Sequence, residues 1–326
     1  METKKTILID MIDCWGDLDK SDNVIYNTLS KHYNVVFSKN PEFLFYSCGD
    51  VRYKHKRYEK CIKICISLES YYPNFNESDY SLTLNKVDVG RRNFRVSYMN
   101  FTARDGQANT SSELSKLAKT KVGKEMLERK FCNFVYSQDR IGSVAKLRKE
   151  FCQKLSQYKH VDCPGRVLNN IDNAISVRDG RTWQASKIEF LRNYKFTIAF
   201  ENQYVEGYWT EKLTDAFFAR SIPIYFGDPL IGEIFNTKAF INGHEYGGDM
   251  DKIIERVKEI DSNDELYMEI LNANPILPNA YYLTEKENLE RYLCNIIENG
   301  HIWDKHAGWK QESFIKKMIK KMLFIK

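Results

Sequence analysis

The stretch FTIAFENQYVEGYWTEKLTDAFFARSIPIYFGDP, residues 196–229, decides the fold class. Its two apolar runs, Phe196 to Phe200 and Ile222 to Phe226, have the length of buried strands. Between them lie a loop rich in aromatics and carboxylates and a segment with Leu213, Ala216 and Phe217 at helical spacing. Strand, loop, helix and strand in that order form the repeating unit of a parallel α/β sheet. Thr210 is a good N-cap for the helix, which puts Lys212 in its first turn. The helix dipole disfavours a cation there, by a few tenths to about 1 kcal/mol. Two readings account for the lysine. In one it is a surface side chain paired with Asp215, or Glu211 offsets the dipole. In the other an anion docks at the helix N-terminus, where free N–H groups and an ammonium together suit a phosphate. The preceding loop offers Asn202, Gln203, Tyr204, Glu206, Gly207 and Tyr208, hydrogen-bonding groups and ring faces suited to a sugar or a nucleobase.

The same alternation runs outward from this stretch. Upstream, KKTILIDMI, NVVFS, EFLFYSCG, KCIKICISLE and DYSLTLN read as strands, with NVIYNTLSKHY as a helix. Residues 104–125 are polar and low in aromatics, and read as a linker. FCNFVYS then reads as a strand, SVAKLRKEFCQKLSQY as a helix, HVDCPGRVLNN as a short strand and turn, and RTWQASKIEFLRNY as a helix. Helical patterns follow in DKIIERVKEIDS, ELYMEILNAN and EKENLERYLCNIIENG. The 326 residues therefore divide into an N-terminal α/β domain (1–115), a C-terminal α/β domain (116–300) and a tail (301–326). Ligands of such sheets sit at the carboxyl ends of strands, so the loops after Leu68, Ser137 and Phe200 are the places to look for chemistry.

Composition narrows the class. Nowhere do 18 consecutive apolar residues occur, and the N-terminus has acidic residues where a secretory signal would be apolar. The eight cysteines are scattered without metal-finger spacing and read as reduced, buried thiols, in keeping with a cytosolic compartment. The net charge of +5 resides in the tail, where seven lysines face Asp304 and Glu312. In that tail, WKQESFIKKMIKKMLFIK places Phe314, Ile315, Met318, Ile319, Met322 and Leu323 on one side of a helix. Lys316, Lys317, Lys320 and Lys321 fall on the other. Such a helix suits an anionic membrane surface or, alternatively, packs on the body of the protein. Nothing interleaves aromatics with basic residues as a nucleic-acid binder would. Paired acids at Asp17–Asp19 and Asp249–Asp251 resemble a metal-binding pattern but are common by chance, so no metal site and no required cofactor are assigned. His160 and His244 read as surface histidines.

The run FENQYVEGYWTEKLTDAFFARSIPIYFGDP resembles the signature of the α-1,3/4-fucosyltransferases, enzymes that use GDP-fucose. NPEFLFYSCGD, LESYYPNFNESDYSLT, FCNFVYSQDR and VDCPGRVLNN resemble further segments of that family in the same order, over roughly residues 40–290. The resemblance implies a GT-B fold, two Rossmann-like domains facing across a cleft, with GDP-fucose in the C-terminal one. It implies inverting transfer of L-fucose to a hydroxyl, usually the 3-OH of GlcNAc or of the glucose in a lactose-type acceptor. Carried over by position, Asn202, Tyr208, Glu211, Lys212 and Arg148 would contact the donor, with Lys212 and Arg148 on the diphosphate. Glu69 matches the family's carboxylate before PNFN and would be the base, with Glu77 and Asp79 as alternatives. The sequence departs from the family's usual text before Glu69 and at Ser97, where a proline is more common, and both departures touch the acceptor side. A GDP-sugar transferase with another donor and a non-catalytic glycan- or membrane-binding relative are the alternatives. The cysteines and the basic tail together place the protein in the cytoplasm, at the inner face of a bacterial membrane. The family's heptad repeat before such a tail is missing, which leaves the oligomeric state open.

Overall fold

The computed structural model describes residues 3–14, 18–47, 53–102, 110–139, 144–171, 175 and 183–303. The tail helix at 309–326 and the first acid of the Asp17–Asp19 pair lie outside them. The first half builds β1 (Thr6–Ile12), α1 (Val24–Ser30), β2 (Asn34–Phe37), β3 (Phe43–Ser47), β4 (Ile62–Ser67), β5 (Tyr80–Thr83) and β6 (Asn93–Arg95). These six strands form one parallel sheet in the order β2-β1-β3-β4-β5-β6. Helices α2 (Tyr98–Phe101) and α3 (Ser111–Ala118) follow.

The second half builds β7 (Lys130–Asn133), α4 (Ala145–Leu155), β8 (Val161–Asp162), α5 (Trp183–Leu191), β9 (Tyr194–Phe200), α6 (Glu211–Phe218), β10 (Ile222–Phe226) and β11 (Ile241–Asn242). Helices α7 (Met250–Asp261), α8 (Asp264–Leu271) and α9 (Glu285–Asn299) close the chain. Its five parallel strands run in the order β11-β10-β9-β7-β8. Strand order reverses between β7 and β9, the kind of switch point beside which ligands bind in open sheets. The two parallel sheets are the two Rossmann-like units anticipated from the sequence.

Two placements differ from the sequence reading. The first is the segment taken as a linker, part of which is α3. Thr110 caps it by accepting from the Glu113 N–H at 3.2 Å, and Leu114 is buried among Trp209, Leu213, Phe217 and Tyr282. One fully buried leucine, worth roughly 1.5–3 kcal/mol, fixes what an otherwise polar text conceals. The second is α9, which the sequence reading assigned to the C-terminal domain. Its Leu289, Leu293, Ile296 and Ile297 pack on the first sheet with Ile7, Ile9, Phe45, Ile64 and Ile66. Their spacing is that of one helix face, and the exposed pairs at its rim, Lys5–Glu298 and Lys31–Glu290, add little beside that burial.

The loop between β9 and α6 also crosses over. Tyr208 belongs to the core of the first sheet, and partly buried Val205 packs against it. Lys86 N–H donates to the Glu206 carbonyl at 3.2 Å, and Arg95 Nη2 to the Gly207 carbonyl at 3.0 Å. Gly207 has φ +82°, and a Cβ there would lie 2.4 Å from Lys86 N. No disulfide joins the described cysteines, and all but Cys294 are buried.

Candidate active site

The carboxyl ends of β4, β7 and β9 open on one cleft of about 630 Å³. Its lining includes Glu69, Tyr98, Tyr136, Arg148, Trp183, Lys187, Asn202, Tyr208, Thr210, Glu211 and Lys212. All six residues singled out from the sequence for catalysis or donor binding, Glu69, Arg148, Asn202, Tyr208, Glu211 and Lys212, therefore meet in one place. Glu77 and Asp79 do not. Glu77 pairs with His55 and Lys56, while buried Asp79 accepts from the Lys63 and Trp303 N–H groups at 2.8 Å each.

At the start of α6, Thr210 caps the helix as the sequence implies, accepting from the Lys212 N–H at 3.4 Å. Its hydroxyl donates in turn to the fully buried carboxylate of Glu201, at 3.0 and 2.8 Å, and its N–H donates to Glu201 Oε1 at 2.7 Å. The Lys212 ammonium lies 3.3 Å from Glu201 Oε2 and 3.5 Å from Glu211 Oε1, and donates to Thr210 Oγ1 at 3.0 Å. Burial works against that charge, but Glu201 and Glu211 outweigh it and hold the Lys212 pKa well above its ordinary value. Asp215, considered from sequence as the partner of Lys212, pairs instead with Lys187 at 2.9 Å and accepts from Gln184 at 2.8 Å. For Glu211, burial is outweighed by Lys212 and Lys187, which lower its pKa.

Arg148 rises from α4 into the same cleft, its guanidinium 4.2 Å above the Tyr136 ring. Nη1 donates to Asn202 Oδ1 at 2.6 Å and Nη2 to the Gln138 carbonyl, while Nε is buried with no hydrogen-bond partner among the described residues. The Val144 N–H donates to the Asn202 carbonyl at 3.1 Å, which ties the start of α4 to the loop after β9. Three cations, Arg148, Lys187 and Lys212, thus stand on one wall of the cleft.

Glu69 faces them from the end of β4. Its carboxylate is open to the cleft and accepts from the Tyr208 hydroxyl at 3.4 Å. Partial burial raises its pKa, with Lys212 opposing, Glu211 adding to the rise and Tyr208 opposing. A carboxylate with a raised pKa across a cleft from a set of cations can accept a proton while negative charge collects opposite.

Sequence reasoning missed Glu201 and Lys187, and gave Asp215 a different partner. Glu201 adjoins Asn202 within the quoted run and was readable there. Lys187 lies in ordinary helical text, and nothing local pairs it with a residue 28 positions later. The Asp249–Asp251 pair is a helix start: Asp249 caps α7 and Asp251 pairs with Lys154 at 2.8 Å. His160 is exposed and 3.1 Å from Asp162, whereas His244 is half-buried and stacked on Phe226 at 4.5 Å.

The sequence model described as "Glycosyltransferase family 10 (fucosyltransferase) C-term" matches residues 128–299. The chain belongs to glycosyltransferase family 10. The model of the "Alpha-(1,3)-fucosyltransferase FucT N-terminal domain" matches residues 9–102 of this family 10 chain. The alpha-(1,3)-fucosyltransferase FucT of Helicobacter pylori is 28% identical over 327 residues, covering 89% of this chain and 65% of the relative. The GDP-fucose protein O-fucosyltransferase 3 of Xenopus tropicalis is 33% identical over 127 residues, 38% of this chain and 26% of the relative. The chain thus spans less than two thirds of the length of either. A crystal structure of an α1,3-fucosyltransferase superposes with a TM-score of 0.73 at 23% identity, covering 93% of each chain, and shares the fold of this family 10 chain.

Proposed function

We propose that the protein is an inverting fucosyltransferase that moves L-fucose from GDP-β-L-fucose to a hydroxyl of a β-galactoside-containing glycan, the 3-OH of a GlcNAc or glucose. The acceptor oxygen attacks the anomeric carbon of fucose as the bond to the diphosphate oxygen breaks, giving an α-fucoside and GDP. Glu69 takes the hydroxyl proton, and the leaving diphosphate gains its electron pair beside Lys212 and Arg148. Preorganised cations placed where charge develops are the largest source of stabilisation in such a displacement. Glu211 and Asn202 hold hydroxyls of the donor, and Tyr208 spans donor and base. The chain's own cations serve the diphosphate, and no metal is assigned ligands. Tyr71 and Tyr72, both exposed just after Glu69, offer ring faces on which a pyranose can pack.

The observation that carries this reading is the opposition of Glu69 to Lys212 and Arg148 across one cleft in a family 10 fold. GDP release from GDP-fucose, with and without N-acetyllactosamine, tests it on wild type and Glu69→Gln. Acceptor-dependent release that the substitution abolishes, with GDP-fucose still bound, is the expected result. If GDP-fucose neither turned over nor shifted the melting temperature while another GDP-sugar did, the donor would be different. No helix among the described residues is long and apolar enough to cross a membrane. The basic amphipathic segment 309–326 supports attachment to an anionic membrane surface, which co-sedimentation with vesicles containing phosphatidylglycerol would test.

A further inference from the structure

Outside the cleft, three titratable residues from separate parts of the first domain meet in a buried row. Asp13 directly follows β1, and its φ of 51° is left-handed, a conformation that Asp tolerates better than most residues. The turn sets its carboxylate against the 3₁₀ helix Lys54–Arg57. Asp13 Oδ2 accepts from the His55 backbone N–H at 2.8 Å and lies 2.8 Å from His55 Nδ1. On the far side of the ring, Nε2 lies 3.1 Å from Glu77 Oε2. The ring is 3% exposed and stacks on Tyr46 at 4.0 Å. An imidazolium satisfies both carboxylates at once, whereas a neutral ring can donate to only one. Asp13 Oδ1 is buried without a hydrogen-bond partner among the described residues, so among the described groups His55 alone meets this carboxylate.

What the row restrains is the connection between β4 and β5. Residues 68–79 contain no α-helix, and Glu69 stands at their root. Ser67 Oγ holds that root by donating to the Glu69 and Tyr71 carbonyls at 3.3 and 3.0 Å. The far end turns on the Asn74 carbonyl, which accepts from Glu77 and Ser78 N–H. There Glu77 meets Lys56 at 3.0 Å, an exposed pair of small worth, and His55, which is rigidly buried.

We propose that His55 is a positioning residue for the acceptor half of the reaction, acting through Glu77 on the loop whose root carries Glu69. The proposal rests on Glu69 as the base. A misplacement of about 1 Å at a reacting group can cost on the order of 100-fold in rate. Arg92 also holds the far end, donating to the Phe75 and Ser78 carbonyls at 3.4 and 3.0 Å. Losing the Glu77 tie therefore loosens this loop rather than freeing it, and the effect falls on transfer to the acceptor while the donor wall stays as it is.

The test measures kcat/KM for N-acetyllactosamine, and GDP-fucose affinity by titration calorimetry, in Glu77→Ala, Glu77→Gln, His55→Gln and the double variant H55Q/E77A. Glu69→Gln is run beside them. Glu77→Ala is expected to lose about tenfold or more in kcat/KM for the acceptor, a tenth of the 100-fold scale for a fully displaced group, with donor affinity unchanged. Glu77→Gln, which keeps an oxygen for the imidazole, is expected to recover most of that loss. The double variant should be no worse than the poorer single one, because both break one tie. Glu77 is partly exposed, so its variants fold even if His55→Gln does not. An unchanged acceptor kcat/KM in Glu77→Ala while Glu69→Gln is inactive would overturn the positioning role alone. So would an equal loss of donor affinity, or losses that multiply in the double variant. If Glu69→Gln kept transfer, the base assignment would fail and this proposal with it.

Discussion

Replacing Lys212 by Met separates the two tasks of that ammonium. Glu201 is fully buried, with its carboxylate on the Thr210 N–H and hydroxyl and on Lys212 at 3.3 Å. Without the lysine, Glu201 keeps only neutral donors. Breaking a buried ion pair from one side costs roughly 3–5 kcal/mol, and the surviving bonds to Thr210 put the expected loss near the lower figure. Urea unfolding should report it. Burial already raises the Glu201 pKa, and removing Lys212 raises it further, so the loss should shrink as the pH falls and Glu201 takes up a proton. GDP affinity, by calorimetry, should fall separately. A charge-assisted hydrogen bond is worth roughly 1.5–3 kcal/mol, or about 10- to 100-fold in Kd. The double variant Glu201→Gln with Lys212→Met removes both charges, so most of the stability should return and the GDP affinity should not. Wild-type GDP binding in Lys212→Met would refute the reasoning, because the ammonium would then serve the fold alone.

Three further outcomes are expected. Tyr208→Phe removes the hydroxyl that donates to Glu69, so the Glu69 pKa should climb further and the acid limb of acceptor-dependent kcat/KM should move to higher pH. An unmoved limb would separate Tyr208 from the base. Gly207→Ala forces a side chain into φ +82° and 2.4 Å from Lys86 N, and should cost about 1–3 kcal/mol of stability in urea. It should lower transfer more than GDP binding, since the displaced loop carries Tyr208, and a neutral result would contradict the close approach. Burial, against hydrogen bonds from Ser97 and Asn100, pushes the Glu285 pKa from 4.5 to about 7. The folded protein therefore holds this proton more tightly than the unfolded chain. Stability should fall by up to ~3 kcal/mol as pH rises across that window and be level beyond it. Glu285→Gln should flatten the slope, and an unchanged slope would assign the proton elsewhere.

The elements with a strong period were legible in the sequence. KCIKICISLE became β4 and DKIIERVKEIDS became α7 because their burial follows the pattern of their own residues. β6 and β11 have three and two residues, too few for any periodicity to show. The apolar face of α9 was visible, but which sheet it covers is a long-range fact that no local pattern contains. The same divide runs through the site. Thr210, Glu211 and Lys212 form one helix start and could be read together. The pairing of Lys187 with Asp215, and of His55 with Asp13 and Glu77, depends on which loops the sheets bring side by side. Nothing in KHKR marks its histidine for burial, and only the fold buries it. Ser97 is instructive in another way. Its backbone N–H donates to buried Glu285 at 3.0 Å, a bond that the proline common in related sequences could not make.

The return of α9 to the first sheet sets the order in which this chain can finish folding. A ribosome delivers β1 well before residues 285–299, yet Ile7, Ile9, Phe45 and Ile64 share one core with Leu289, Leu293 and Ile296. Until α9 emerges, a strip of the first sheet stays open to water while the whole second sheet is being made. The second sheet, continuous in sequence from β7 to β11, is free to close while that strip waits. A chain cut before residue 285 would keep the eleven strands described and lose the cover of the first six. Its failure would appear as aggregation through the first sheet, far in sequence from the cut.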